Sequence, residues 1–362
     1  MVVAVTGGGS GAISALAQTP GASRSILEAI VPYSEAALVE WIGGQPDQWC
    51  SAATARAMAM AAFERTRRLA PESDPLMLVG VGCTASLATD RQKRGEHRVH
   101  VAVQTARRTV SYSLLLEKAD AERANEEAAA TRCILAAVAE ACGVDASALW
   151  KSLTAGCDGE RLKVDAAEAS DAETELLLGA RQLVLVGESD STATVFPGAF
   201  NPPHVGHLRM AAIAEHRLAT PVTWELSIAN VDKPPLDFKA IHDSLAALRK
   251  ADPVRSVALT HAATFREKAE LFPGATFIVG ADTIARIAEP RYYGCNAGQC
   301  EAAIEAIAAL GCRFLVFGRE TDGEFATLST LSLPPRLASL CEAVPAEEFR
   351  EDVSSTDLRR GN

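Results

Sequence analysis

"VFPGAFNPPHVGHLRM", residues 195–210, passes from an apolar stretch through a glycine- and proline-rich turn into a helical pattern, with His204 and His207 near its start. Strand, turn and helix in that order put the turn at the carboxyl edge of a parallel sheet, where open α/β folds bind ligands. Gly198 keeps the strand end clear of side chains, and the prolines stiffen the loop. Gly206 permits close approach between the two imidazoles. Each ring can donate an N–H to a phosphate oxygen, and the helix N-terminus adds amide donors and a positive partial charge. The turn therefore reads as a holder for a nucleotide phosphate chain.

Outward from this turn, short apolar strands at 183–187, 193–197, 222–228, 276–279 and 313–317 alternate with helical stretches at 206–219, 238–251, 264–271 and 299–310. That alternation predicts a parallel sheet with helices on its faces. The first half has its own α/β pattern. A buried strand at 2–5 enters "TGGGSGA" and an alanine-rich helix ending before Pro20. Asp47 and Ser51 can cap a helix running to about Arg68. Strands follow at 76–86 and 97–105 and within "YSLLLEK", and a long helix at 119–142 closes the domain. The residues after it are rich in acidic and small side chains. The expected organisation is an N-terminal domain over 1–155, a linker over 156–190 and a second domain over 191–362.

Gly7, Gly9 and Ala12 satisfy the spacing of a dinucleotide fingerprint, in which glycines let the backbone approach a pyrophosphate. The fingerprint also wants an acidic residue at the end of a second strand, whereas Glu28 precedes the expected one. The competing reading is a tight turn that packs helix against sheet.

At 362 residues the chain can bury two cores, and 48% apolar content fits a soluble α/β protein. A net charge of −11 excludes a surface that gathers long nucleic acids by counterion release, but not a local pocket for a small anion. Nine cysteines without a paired framework indicate a reducing, cytoplasmic compartment. Cys295, Cys300 and Cys312 fit no zinc spacing, so no protein metal site is expected. The N-terminus lacks a basic region, and no stretch approaches the roughly 20 apolar residues of a membrane span. Neither membrane nor nucleic acid is an expected partner.

The 195–210 stretch resembles the G-x-F-x-P-x-H-x-G-H signature of the nucleotidylyltransferase superfamily, met at Gly198, Phe200, Pro202, His204, Gly206 and His207. The resemblance implies a Rossmann-like domain and a second phosphate site in "VSSTDLRR" (353–360). There Ser354, Ser355 and Thr356 would offer donors at a helix start, and Arg359 would grip phosphate. "FIVGADTIARI" (277–287) resembles the family's G-x-D element, with Gly280 opening space and Asp282 bonding a ribose. Arg319 in "VFGRE" and Asn230 and Lys233 in "SIANVDKPPLDF" resemble substrate-side residues of the pyridine-nucleotide branch. What that branch implies is transfer of AMP from ATP, with Mg²⁺, to nicotinamide or nicotinate mononucleotide, with His204, His207 and Arg359 neutralising developing charge; the alternatives are another adenylyl- or cytidylyltransferase and a non-catalytic nucleotide-binding regulator.

The N-terminal half, through "TPGASRSILEAIVPYSEAAL" (19–38), the helix "SAATARAMAMAAFERTRR", "VGVGCTAS" and "VHVAV", resembles the C-terminal domain of the CinA family, which includes nicotinamide mononucleotide deamidases. The resemblance implies a homo-oligomer and a pocket near Thr6, Tyr33 and Thr84. It also places the family's catalytic serine on Thr6 and its lysine near Leu38. Leucine cannot take a proton from a nucleophile. The loop at 82–98, with Ser86, Lys93, Arg94 and His97, is polar and locally basic. A domain that holds a pyridine mononucleotide without cleaving it is the expectation.

Overall fold

Val2–Val5 (β1) is buried along its whole length, the pattern of a strand covered on both faces. It lies parallel to β2 (Glu28–Ile30) and β3 (Gly80–Ser86), reached through α1 (Gly11–Ala17), α2 (Glu35–Ile42) and α3 (Ala52–Leu69). The computed structural model describes residues 1–90, 95–117, 122–154, 161–188, 191–231, 233–321 and 324–350, with backbone only at 320, 321 and 324. Antiparallel strands β4 (Arg98–Gln104), β5 (Arg108–Leu115) and β6 (Leu162–Glu168) complete a six-stranded sheet in the order β2-β1-β3-β4-β5-β6. Between β5 and β6 come α4 (Arg123–Ala141) and α5 (Ser147–Thr154), and α6 (Asp171–Leu178) follows β6.

Close approach decides how α3 lies on this sheet. A Cβ at Gly80 would sit 2.2 Å from the Ala59 carbonyl oxygen and the Phe63 nitrogen, so only glycine lets the helix backbone rest there. Ala55 and Ala59 meet Ala102 on that side, while Ile134 and Cys133 of α4 pack with Val81, Val99 and Val101.

The chain divides into two units, the first Met1–Leu178 with Asp232–Ala240 and the second the remaining chain. The 156–190 linker expected from sequence is not one: its described part supplies β6, α6 and a strand of the second sheet. β6 pairs with β5 from Arg108↔Glu168 to Leu114↔Leu162. It is an edge strand whose residues are mostly exposed, and exposed edges carry charges that hide a strand's apolar signal. Segment 232–240 is held inside the first unit, where Asp237 pairs with Arg56 at 3.1 Å and the Phe238 N–H donates to the Thr109 hydroxyl at 3.0 Å.

In the second unit, β7 (Leu183–Val186), β8 (Thr194–Pro197), α7 (Val205–Leu218), β9 (Val222–Ser227), α8 (Phe238–Ala251, which belongs to this unit from Ile241 on), β10 (Val257–Thr260), α9 (Phe265–Leu271), β11 (Thr276–Gly280), α10 (Ala281–Ile287), α11 (Ala297–Ala309) and β12 (Arg313–Phe317) follow in turn. A hairpin of β13 (Arg319–Thr321) and β14 (Glu324–Ala326), the short helix α12 (Pro335–Ala338) and β15 (Cys341–Ala343) end it. The sheet order is β15-β12-β11-β8-β9-β10-β7, parallel throughout except for the antiparallel edge strand β7. The order runs outward from β8 to β10 and then crosses back to β11, so the switch point lies between β8 and β11. Phe196, Phe200 and Trp224 pack with Ala211 and Ala214 of α7 on one face; Val195, Phe277 and Phe314 face α9 and α11 on the other. Among the described residues no helix is long and apolar enough to cross a membrane.

Candidate active site

At the end of β8 the Gly198 N–H donates to the Glu225 carbonyl at 3.0 Å, binding the turn to β9. A Cβ at Gly198 would lie 2.6 Å from the Phe200 ring. Phe200 itself has φ +44°, a left-handed backbone that costs a bulky residue about 1–3 kcal/mol. Its ring is 2% exposed and meets Phe196, Trp224 and His207 edge-on at 5.4, 4.9 and 5.1 Å. Burying an aromatic side chain is worth a comparable amount, about 1.5–3 kcal/mol, which offsets the backbone cost. The Asn201–Pro202 peptide that follows is cis.

His204 caps α7 in an extended conformation, and His207 is the third residue of the helix. The two rings stack at 3.7 Å with 29° between their planes, and the His204 N–H donates to His207 Nδ1 at 3.2 Å. Because Nδ1 accepts, the neutral ring carries its proton on Nε2, where it can donate to a ligand. Burial first, then His204 and Arg319, push His207 down to about 3. His207 thus offers a hydrogen bond without a charge at neutral pH.

Across the switch point, β11 ends at Gly280 and α10 begins. A Cβ at Gly280 would fall 2.7 Å from Asp282 Oδ1, so glycine leaves the carboxylate its place. Both oxygens of Asp282 lie 3.4 Å from Arg319 Nη1, which extends from the end of β12. These groups line one cleft of about 410 Å³, within the usual range for small-ligand sites. Gly198, Phe200, His204, His207, Gly280, Asp282 and Arg319 all line it. Gly206 is buried in the first turn of α7 instead. Asn230 does not line the cleft, and Lys233 lies in the first unit, its Cε 2.7 Å from where a Cβ of Gly44 would stand. Ser354, Ser355, Thr356 and Arg359 fall outside the described residues.

Thr283, Arg286 and Phe349 also line the cleft and were missed. The first two lie within the "FIVGADTIARI" stretch, and a helical reading from Ala281 would have set Arg286 one turn after Asp282. Phe349 packs edge-on against Phe317 at 5.1 Å and reaches the cleft from a distant part of the sequence.

The first unit holds a smaller pocket, about 230 Å³, that gathers Thr6, Tyr33 and Thr84 with Leu38 and Trp49. Thr84 donates its hydroxyl to the Trp49 carbonyl at 2.9 Å, and Tyr33 is 75% exposed. Leu38 is buried at the wall, so no amine stands there. The dinucleotide reading of the nearby glycine loop fails on two counts. The Gly9 N–H donates to both Glu127 oxygens at 2.9 Å and the Gly11 N–H to one at 3.4 Å, so an internal carboxylate takes the donors a phosphate would need. Glu28 opens β2 and is held by Arg65 at 2.8 Å. His97 is buried against Glu126 at 2.5 Å, and Lys93 and Arg94 lie outside the described residues.

Among the described residues no group of three or more His, Cys, Asp or Glu could hold a metal ion. No curated protein matches the chain. Residues 195–361 match the family described as cytidylyltransferase-like, a segment that opens with β8 and contains every residue lining the larger cleft. The match supports a nucleotidyltransferase-type function for that stretch.

Proposed function

We propose that this protein transfers AMP from ATP to nicotinamide or nicotinate mononucleotide, forming a dinucleotide and releasing pyrophosphate. The observation that carries the reading is the stacked His204–His207 pair at the head of α7, sharing one cleft with Asp282 and Arg319 at the switch point of the sheet. Arg319 in the cleft supports the pyridine branch, while the placement of Asn230 and Lys233 adds nothing to it.

In the reaction, an oxygen of the acceptor's phosphate bonds to the α-phosphorus of ATP as the bond to the bridging oxygen breaks and pyrophosphate departs. The acceptor is already an anion, so no side chain need remove a proton. What the chain contributes is position and charge. His207 donates from Nε2 to a phosphate oxygen, with its ring orientation fixed by the His204 N–H. Arg319 adds positive charge, and Asp282 accepts from a ribose hydroxyl. Ser354, Ser355, Thr356 and Arg359, which follow in the sequence, would serve as the second phosphate grip.

Among the described residues the cleft offers one carboxylate, Asp282, which fits a magnesium ion that arrives on the triphosphate rather than one caged by protein. Bound there, magnesium would supply charge neutralisation on the departing pyrophosphate. In the first unit, Leu38 beside Thr6 favours binding of a pyridine mononucleotide without hydrolysis.

The reading is tested by incubating the protein with Mg-ATP and either mononucleotide and separating the products. Dinucleotide and pyrophosphate should form in equal amounts, with no deamidated mononucleotide. Absence of dinucleotide from protein that still binds ATP overturns the acceptor assignment, and turnover with CTP in place of ATP overturns the donor.

A further inference from the structure

The larger cleft has two walls of different character. One is the β8 turn with the head of α7, which presents the two imidazoles. The other is a single face of α10, where Asp282, Thr283 and Arg286 all line the cleft while Ala281, Ile284 and Ile287 on the opposite face are buried. Core packing of the two isoleucines fixes that orientation, so the placement of Arg286 does not depend on its own contacts. Asp282 is engaged by Arg319, and the Arg286 side chain makes no hydrogen bond or ion pair among the described residues. Its five N–H donors face the cleft without an acceptor.

Charge sharpens the point. The chain carries −11 overall, yet among the described Asp, Glu, Lys and Arg residues lining the cleft two guanidiniums stand against one carboxylate. Nucleotidyl transfer brings two anions together, a triphosphate and an acceptor that attacks through its own phosphate. The histidine wall with the helix head serves one of them; the other needs its own cationic partner on the facing wall. A guanidinium suits a phosphomonoester, which it can bind through two parallel hydrogen bonds.

We propose that Arg286 is the residue that recognises the phosphate of the acceptor mononucleotide and so restricts the acceptor to phosphorylated nucleosides. This assignment rests on the transferase reading above and adds to it the residue that selects the acceptor. Arg286→Ala should raise KM for the mononucleotide at least tenfold and leave KM for Mg-ATP within twofold. Arg286→Lys, which keeps the charge but loses the fork, should fall between. Nicotinamide riboside, which lacks the phosphate, supplies the control: its inhibition constant should be the same in the wild type and Arg286→Ala, a result that mere loosening of the cleft would not give. A rise in KM for Mg-ATP instead, equal rises in both, or unchanged kinetics overturns the role of Arg286 while leaving the transferase intact. A wild-type protein that forms no dinucleotide sinks the underlying reading, and the role of Arg286 with it.

Discussion

Each unit contains a buried strand, a glycine turn and a helix in that order, yet the two turns end in different chemistry. In the first unit the turn after β1 feeds a seven-residue helix, and the amides of Gly9 in the turn and Gly11 at the helix start are taken by Glu127, 118 residues from Gly9. In the second, the turn after β8 feeds a fourteen-residue helix whose leading histidines line a cleft. A strand–turn–helix opening thus makes an anion site only where the rest of the fold leaves its donors to the ligand. The neighbouring pocket differs to match: hydroxyls and apolar groups around Thr6 in one, imidazoles and guanidiniums in the other.

The largest test of this contrast is His207→Ala. Loss of a preorganised donor at developing charge should cut kcat by about 10²–10³-fold. KM for both substrates should stay nearly constant, measured at steady state. Equal loss in kcat and binding would move His207 from transition-state to ground-state recognition.

Next come the two turn glycines. Gly198→Ala drives a methyl into the buried Phe200 ring, which also touches His207, and should lower kcat/KM by roughly tenfold, about 1.4 kcal/mol. Gly7→Ala meets the Tyr33 ring at 2.5 Å, but that ring is exposed and can turn away. Its cost is the strained φ of +115°, read as a lower melting temperature, with transferase turnover intact. If Gly7→Ala silences the transferase, the contrast between the turns is lost.

Glu127→Gln should weaken the capping of α1 by roughly 1 kcal/mol, seen as an earlier thermal transition, again without change in kcat. Unchanged stability would mean that solvent serves those amides as well as the carboxylate does.

The smallest expected effect is with pH. Burial is the main cause that holds His207 at about 3 and His100 at about 4, below the ordinary 6.5. From pH 6.5 down towards 4 the unfolded chain binds protons that these folded rings refuse, so stability falls as pH is lowered through that window and is fully present above it. The urea midpoint of each unit should drop accordingly, and His100→Asn should flatten the slope in the first. An imidazole NMR signal of His207 that titrates near 6.5 would contradict its burial.

What could be read in advance follows the range of the interactions. The β8–α7 turn was legible because its strand, glycine, prolines and histidines are contiguous and each constrains the next. Gly280 and Asp282 were legible for the same reason. β6 was not, because an edge strand has few apolar positions to show. β10 is four residues, Val257–Thr260, too short for its periodicity to register, and its burial comes from β9 and β7 on either side. Nothing near the glycine loop announces that Glu127 will occupy it, and nothing near Phe349 announces the cleft. Arg286 was not legible because the G-x-D element singles out only Gly280 and Asp282, and the helix that carries Arg286 to the cleft follows them.

The central claim is that the cleft after β8 transfers a nucleotidyl group. The most direct test uses ATP labelled at the α-phosphorus with each mononucleotide, in wild type and in His207→Ala. The account predicts that the label appears in the dinucleotide with the wild type and falls by at least a hundredfold in rate with the variant. Label that never leaves ATP in the wild type, or that moves equally fast in the variant, would contradict it.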